Sequence, residues 1–163
     1  IPIDPLYLSW KLRALNYNAR FIDLASEINT NMPRYVVGII QDALNSHSKP
    51  LMGSEVLILG TAYKPDIDDL RESPALDVIG LLRQKGAEVR YHDPYISQVQ
   101  HEDWEMESVI DVTDAAQAAD CVVIITDHAN YDFRKLLDVS KLVVDTRNAL
   151  GDVGRGNPKV VRL

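Results

Sequence analysis

Val56-Leu57-Ile58-Leu59-Gly60, followed by a loop from Thr61 to Glu72 and then by Ser73-Pro74, decides the fold. Four consecutive apolar residues ending at a glycine describe a strand buried on both faces, as in a parallel sheet. A serine before a proline describes a helix start. Its hydroxyl can accept from a first-turn N–H, and proline there gives up an N–H that has no partner. Leu76, Ile79, Leu81 and Leu82 supply that helix with a buried face, and Gly86 ends it.

Further along, a second strand is expected over Glu88-Val89-Arg90-Tyr91, closing at His92-Asp93-Pro94. Cys121-Val122-Val123-Ile124-Ile125 is the clearest strand of all. Leu142-Val143-Val144 is another, ending at Asp145, and Lys159-Val160-Val161-Arg162 pairs at an edge. Short helices are expected from Asp114 to Ala119 and from Phe133 to Leu137, with Val109-Ile110 as a minor strand. Residues 95–108 are polar and irregular, and no element is expected there. Strands alternating with helices give the fold class over residues 51–163: α/β, a Rossmann-like doubly wound parallel sheet.

The first fifty residues read as helix. Pro5 can open one, and Leu8, Leu12 and Leu15 mark its apolar face. Asn16-Tyr17-Asn18 weakens the pattern, which Phe21, Ile22, Ala25 and Ile28 resume. Pro33 stands where a second helix would begin, with Val36, Ile40, Ala43 and Leu44 as its stripe and His47-Ser48-Lys49-Pro50 as its end. Residues 1–50 are therefore expected to form a helical hairpin or kinked pair packed against something else, such as a second subunit.

Composition narrows the function. The chain has 163 residues, 46% apolar and 25% charged, the profile of one globular domain with a helical extension. Its one cysteine, Cys121, excludes an internal disulfide and agrees with a reducing, cytoplasmic compartment. No apolar run approaches the ~20 residues that span a bilayer, so no membrane partner is expected. A net charge of −7 argues against a nucleic-acid surface. It does not argue against a small phosphate ligand, for which two or three placed cations suffice. The start at Ile1, without a methionine, points to a fragment or a processed chain.

Ligands of such sheets bind beyond the carboxyl ends of the strands. The loop after the first strand lacks the second and third glycines of a dinucleotide fingerprint. It offers instead Lys64 and Arg71, with Tyr63 beside the lysine. Those cations suit phosphate oxygens or sugar hydroxyls, and the tyrosine can pack on a ring. The plain alternative is a solvated loop with internal ion pairs among Asp66, Asp68, Asp69 and Arg71. Asp93 can bind a ribose or simply make a turn. Asp145-Thr146-Arg147-Asn148 presents another arginine at a strand end. His47, His92, His101 and His128 have no metal-ligand spacing, so no metal site is expected. Cys121 reads as a core residue.

Ile1-Pro2-Ile3-Asp4-Pro5-Leu6-Tyr7-Leu8 resembles the segment directly after the catalytic cysteine in the UDP-glucose/GDP-mannose dehydrogenase family. Gly60-Thr61-Ala62-Tyr63-Lys64-Pro65, with Asp69-Leu70-Arg71-Glu72-Ser73-Pro74, is similar to the signature of that family's UDP-binding domain, and Asp145-Thr146-Arg147-Asn148 matches a third segment. Within the family, Trp10-Lys11, Arg20-Phe21-Ile22-Asp23-Leu24-Ala25, Asn29 and Met32-Pro33 look most like the UDP-N-acetylglucosamine branch. The UDP-glucose and UDP-N-acetylmannosamine enzymes share the main motifs.

The resemblance implies an enzyme with an NAD-binding Rossmann domain, a helical dimerisation segment (residues 1–50 here) and a UDP-binding domain (residues 51–163 here). Such an enzyme oxidises the C6 alcohol of a UDP-sugar to a carboxylate in two hydride transfers, through a thiohemiacetal and a thioester on a cysteine. These products feed surface polysaccharide synthesis. Position by position, the resemblance implies a catalytic role for Asp4 beside the hydrolytic water, although Asp4 also suits the helix start. It implies UDP-sugar contacts for Tyr63, Lys64 and Arg147, and for Arg71 a reach to the NAD side. Asn148 stands where some relatives carry a second arginine, and Thr126-Asp127-His128 departs from the Thr-Glu-Trp of some relatives; no role is implied for it. The cysteine would fall immediately before Ile1, so this chain alone is expected not to turn over substrate.

Overall fold

The computed structural model describes residues 3–101 and 104–163. Helices α1 (Ile3–Arg13) and α2 (Arg20–Ser46) come first, followed by β1 (Glu55–Leu59), α3 (Pro74–Gln84) and β2 (Glu88–His92). A small pair, β3 (Gln98–His101) and β4 (Trp104–Glu107), precedes α4 (Val112–Ala118), β5 (Cys121–Ile124), α5 (Phe133–Val139), β6 (Val143–Asp145), a 3₁₀ turn (Gly151–Gly154) and β7 (Val160–Arg162).

Five strands form one sheet in the order β2-β1-β5-β6-β7. Every neighbouring pair is parallel. The alternation of side chains along each strand divides the core into two layers. Val56, Ile58, Cys121, Val123 and Val144 face α2 and α3. Leu57, Leu59, Val122, Ile124 and Val143 face α4 and α5. This is the doubly wound α/β sheet expected from the alternation of strands and helices. Because β2 and β5 flank β1 on opposite sides, the path of the chain across the sheet reverses at β1. The carboxyl edge beside that reversal is where sheets of this kind take ligands, and here the loops after β1 and β5 are bonded to each other across it.

The start of α3 follows from its sequence. Ser73 Oγ accepts the Ala75 N–H at 3.3 Å and donates to the Thr61 carbonyl at 2.7 Å, so the cap also holds the end of β1's loop. Gly60 is required by a close approach. With φ at +80°, a side-chain carbon there would lie 2.6 Å from Thr126 Cβ and 2.8 Å from its Cα.

The N-terminal helices break at a different place from the one expected. α2 runs unbroken through Pro33, and the break falls at residues 14–19. Asn16, at φ +56°, ends α1 in the left-handed cap. Tyr17 N–H reaches back to the Leu12 carbonyl at 3.1 Å and Asn16 N–H to that of Arg13 at 3.1 Å. A proline inside a helix costs about 3 kcal/mol. Here that cost is offset by the packing of Val36, Val37, Ile40, Ala43 and Leu44 against the sheet, which holds the helix straight through the site of the missing bond.

Residues 95–108, expected to be irregular, contain the antiparallel pair β3–β4. Glu102 and Asp103 lie outside the described residues. Val99 is fully buried, and Trp104 and Met106 pack on the α3 side of the core. Their period of two is diluted by polar and charged neighbours and spans only one or two apolar positions per strand, which hides it. Val109-Ile110 is not a strand: Val109 N–H bonds the Tyr91 carbonyl at 2.9 Å, and Ile110 is fully exposed.

Candidate functional site

Three loops meet at the carboxyl edge of the sheet, and Asp93 lies where they meet. Its side chain is fully buried. Oδ2 accepts from Thr61 N–H at 2.7 Å, Ala62 N–H at 3.0 Å and Thr61 Oγ1 at 3.2 Å. Oδ1 accepts from Tyr95 N–H at 2.9 Å and Ile96 N–H at 3.2 Å. Burial pushes the carboxyl upward, but the N–H groups of Tyr95, Thr61 and Ala62 outweigh it and hold Asp93 below the usual carboxylate range. With both oxygens taken up, Asp93 is the turn-forming residue of the two alternatives, and it ties β2's loop to β1's.

The third loop enters through His128, which sequence reasoning left without a role. Its imidazole is fully buried, with Nε2 at 3.0 Å from Asp93 Oδ2 and Nδ1 at 3.0 Å from the Asp66 N–H. Thr126 Oγ1 adds a bond to the Ala62 carbonyl at 2.7 Å. Asp66 sits at the tip of β1's loop with φ +61°. Its Oδ1 accepts from Ala129 N–H at 2.9 Å and Tyr95 Oη at 3.3 Å. The loop also closes on itself, Tyr63 N–H to the Asp69 carbonyl at 2.8 Å. The signal that could have found His128 was its place: just past the clearest strand, in one of the loops that the carboxyl-edge rule selects.

Tyr63 and Lys64 stand together on this held loop. Tyr63 is half-buried and Lys64 exposed, with Nζ 5.6 Å from the tyrosine ring centre. Arg71 is 88% exposed, and Asp69 grips it at two points, Nε–Oδ1 and Nη2–Oδ2, both 2.9 Å. That grip pulls the Asp69 carboxyl down to about 2. The internal ion-pair alternative therefore holds for Asp69 and Arg71, while Asp66 is used elsewhere. Arg147 follows β6, where Asp145 fixes the turn by accepting from Arg147, Ala149 and Leu150 N–H at 3.0–3.1 Å. Its Nε lies 3.7 Å from Asp127 Oδ1, an oxygen buried without a hydrogen bond. Asp4 stands apart from this cluster: it is exposed in the first turn of α1, where its charge suits the helix dipole. The opening of the Ile1–Leu8 motif, Ile1 and Pro2, lies outside the described residues.

This edge can bind an anion and pack a ring, and the one thiol of the chain is not part of it. Cys121 is buried at the start of β5, and burial pushes its thiol up to about 12. The loop after Gly60 carries neither the second nor the third glycine of a dinucleotide fingerprint, so it lacks that close backbone cradle. Among the described residues, no helix is long and apolar enough to cross a membrane and no group of three ligating side chains is arranged to hold a metal ion.

The Asp93 network has a pH signature. A carboxyl held below its ordinary value stabilises the fold above about pH 3.9, and that contribution is lost as pH falls through the lower folded value. Asp93→Asn, which turns a donor toward donors, is expected to cost about 3 kcal/mol at pH 7 by denaturant titration. The deficit should shrink below about pH 4; a deficit that stays constant with pH would contradict this role.

Comparison with known proteins agrees with the geometry. The profile of the UDP-glucose/GDP-mannose dehydrogenase family, UDP binding domain, matches residues 57–152. A UDP-N-acetyl-D-mannosamine dehydrogenase of Methanococcus maripaludis is 34% identical over 160 residues, covering 92% of this chain and 34% of the relative. The structure of a UDP-D-ManNAc dehydrogenase from Pyrococcus horikoshii superposes with a TM-score of 0.74 at 26% identity, over 90% of this chain and 34% of that one. The UDP-N-acetyl-mannosamine dehydrogenase Cap5O of Staphylococcus aureus gives a TM-score of 0.67 at 31% identity, over 90% and 33%. The chain thus spans about a third of the length of the relatives it matches. With the reversal of the sheet at β1 and the signature loop that follows it, these matches show that the chain belongs to the UDP-glucose/GDP-mannose dehydrogenase family, through its UDP binding domain.

Proposed function

We propose that these residues are the UDP-sugar-binding part of an NAD-dependent nucleotide-sugar 6-dehydrogenase, a cytoplasmic enzyme that makes uronate precursors of surface polysaccharide. The observation that carries this reading is the pairing of Tyr63 and Lys64 on a loop tied down from two sides at the sheet's topological switch. A preorganised loop loses little entropy on binding, so its lysine can spend its charge on the diphosphate. The half-buried tyrosine ring packs on the nucleotide or sugar.

Arg147, held only loosely by Asp127 across 3.7 Å, can turn to the substrate and leave that carboxylate behind. Arg71 projects into solvent and serves the NAD side. NAD supplies the hydride acceptor, and its pyrophosphate cradle lies outside the residues described here. Asp4 acts beside the hydrolytic water. On this reading the 163 residues alone form no NADH: their single thiol is buried and the loop after β1 lacks the second and third glycines of a dinucleotide cradle.

For the sugar, the motifs of residues 10–33 favour UDP-N-acetylglucosamine, whereas the relatives named above favour UDP-N-acetylmannosamine. Both are UDP-N-acetylhexosamines, and we propose that class.

Residues 1–50 form the dimerisation segment, and residues 51–163 the UDP-binding domain. In support, Tyr7, Trp10, Leu15, Tyr17, Phe21 and Ile28 are exposed on α1, α2 and the turn between them, Phe21 at 89%. An apolar face of this kind calls for a partner, and a second copy is the partner proposed. Sedimentation should give a dimer that Phe21→Glu weakens; a wild-type monomer at high concentration would argue against it.

Calorimetric titration tests the binding reading. UDP and a UDP-N-acetylhexosamine should bind saturably, and Lys64→Ala should weaken both about tenfold, the effect of one lost charge-assisted bond. Equal affinities in wild type and variant would remove Lys64 from the site.

A further inference from the structure

We infer that His128 is a positioning residue for the Tyr63–Lys64 loop, locked in one tautomer so that its Nδ1 accepts the backbone N–H of Asp66. The inference rests on the reading of that loop as the UDP-sugar site. Two observations fix the tautomer independently. The Asp66 N–H points at Nδ1 from 3.0 Å, so that nitrogen must carry a lone pair. At the other end of the ring, Nε2 lies 3.0 Å from Asp93 Oδ2, whose other partners are all donors. That oxygen accepts, so Nε2 carries the proton. The ring is fully buried and flanked by Tyr95 and Tyr131, with centroids at 5.1 and 5.8 Å, which leaves it no alternative orientation in water.

The consequence reaches Lys64 through the backbone. Asp66 holds a left-handed conformation, which aspartate tolerates as a single turn residue and which its bonds to neighbouring loops fix here. Of its contacts, the bond to His128 is the one made by its backbone N–H. Released at that point, the tip is held only through the Asp66 carboxylate, by Ala129 N–H and Tyr95 Oη. Its backbone can then rotate about that anchor, and Lys64, two residues earlier, moves with it. A histidine that only filled space, or only neutralised Asp93, would not need an acceptor at Nδ1.

Asparagine and glutamine separate the two functions. The amide of Asn overlays Nδ1 and can accept from Asp66; the amide of Gln overlays Nε2 and can donate to Asp93. Using the full 163-residue chain and UDP as the probe, His128→Asn is expected to bind UDP about tenfold more tightly than His128→Gln, the effect of one buried hydrogen bond. Thermal stability should rank the other way, because Gln keeps the bond to Asp93. If affinity and stability fall together in the two variants, or if His128→Gln is the tighter binder, the inference is overturned.

Two further readouts do not depend on UDP. Hydrogen exchange at the Asp66 amide should be faster in His128→Gln than in His128→Asn, and equal rates would refute the positioning role. In the wild-type chain, nitrogen–carbon NMR correlations of the His128 ring should show Nδ1 unprotonated; a proton on Nδ1 refutes the inference even if neither variant folds. Failure of the wild-type chain to bind UDP, with both readouts as expected, would strike at the binding site and leave the loop anchor standing.

Discussion

Burying a carboxylate costs several kcal/mol unless donors replace the water it loses. Asp93 gathers six such donors from three loops, and most of the carboxyl edge is arranged around that requirement. Two come from the first residues after β1, one from the Thr61 hydroxyl, two from its own turn, and one from His128 beyond β5. Because the donors are mostly backbone N–H groups, their positions fix the path of the chain itself. The site loop is therefore shaped by a group that does not touch ligand in the proposed mode. The charge that orders the edge is sealed inside it, and the exposed charges of Lys64 and Arg71 stand at its rim.

The two arginines differ from the lysine in how they are held. Arg71 is paired at both ends of its fork by Asp69, and Arg147 faces Asp127. Exposed pairs of this kind contribute little to stability, and a phosphate can compete for them. Lys64 lies against an aromatic ring instead, an arrangement that leaves its donors available. The one thiol of the chain, Cys121, is buried in the core at the opposite end of β5.

How much of this was legible depends on the range over which each signal acts. β1, α3 and its limits could be read directly, because Ser73, Pro74 and Gly86 act on their own neighbours. The loop with Tyr63 and Lys64 could be selected because a rule about sheets points to it. Helix α2 could not be read through Pro33, because the packing that offsets the proline comes from the sheet rather than from adjacent residues. The β3–β4 pair was hidden because its apolar positions, Val99, Trp104 and Met106, are few and spaced among polar and charged residues. His128 was the hardest case: its partners lie 35 and 62 residues away, at separations where a single sequence carries no pairing signal.

The central claim is that the carboxyl edge beside β1 is where the nucleotide sits. It is tested most directly by following the backbone amide NMR signals of the chain as UDP is added. The account predicts that the largest shifts fall in Gly60–Ser73, at residues 127–130 and at Thr146–Asn148, around the rim formed by the loops after β1, β5 and β6. Shifts concentrated instead along α3 and the β3–β4 pair, or saturable binding that leaves Tyr63, Lys64 and Asp66 undisturbed, would contradict it.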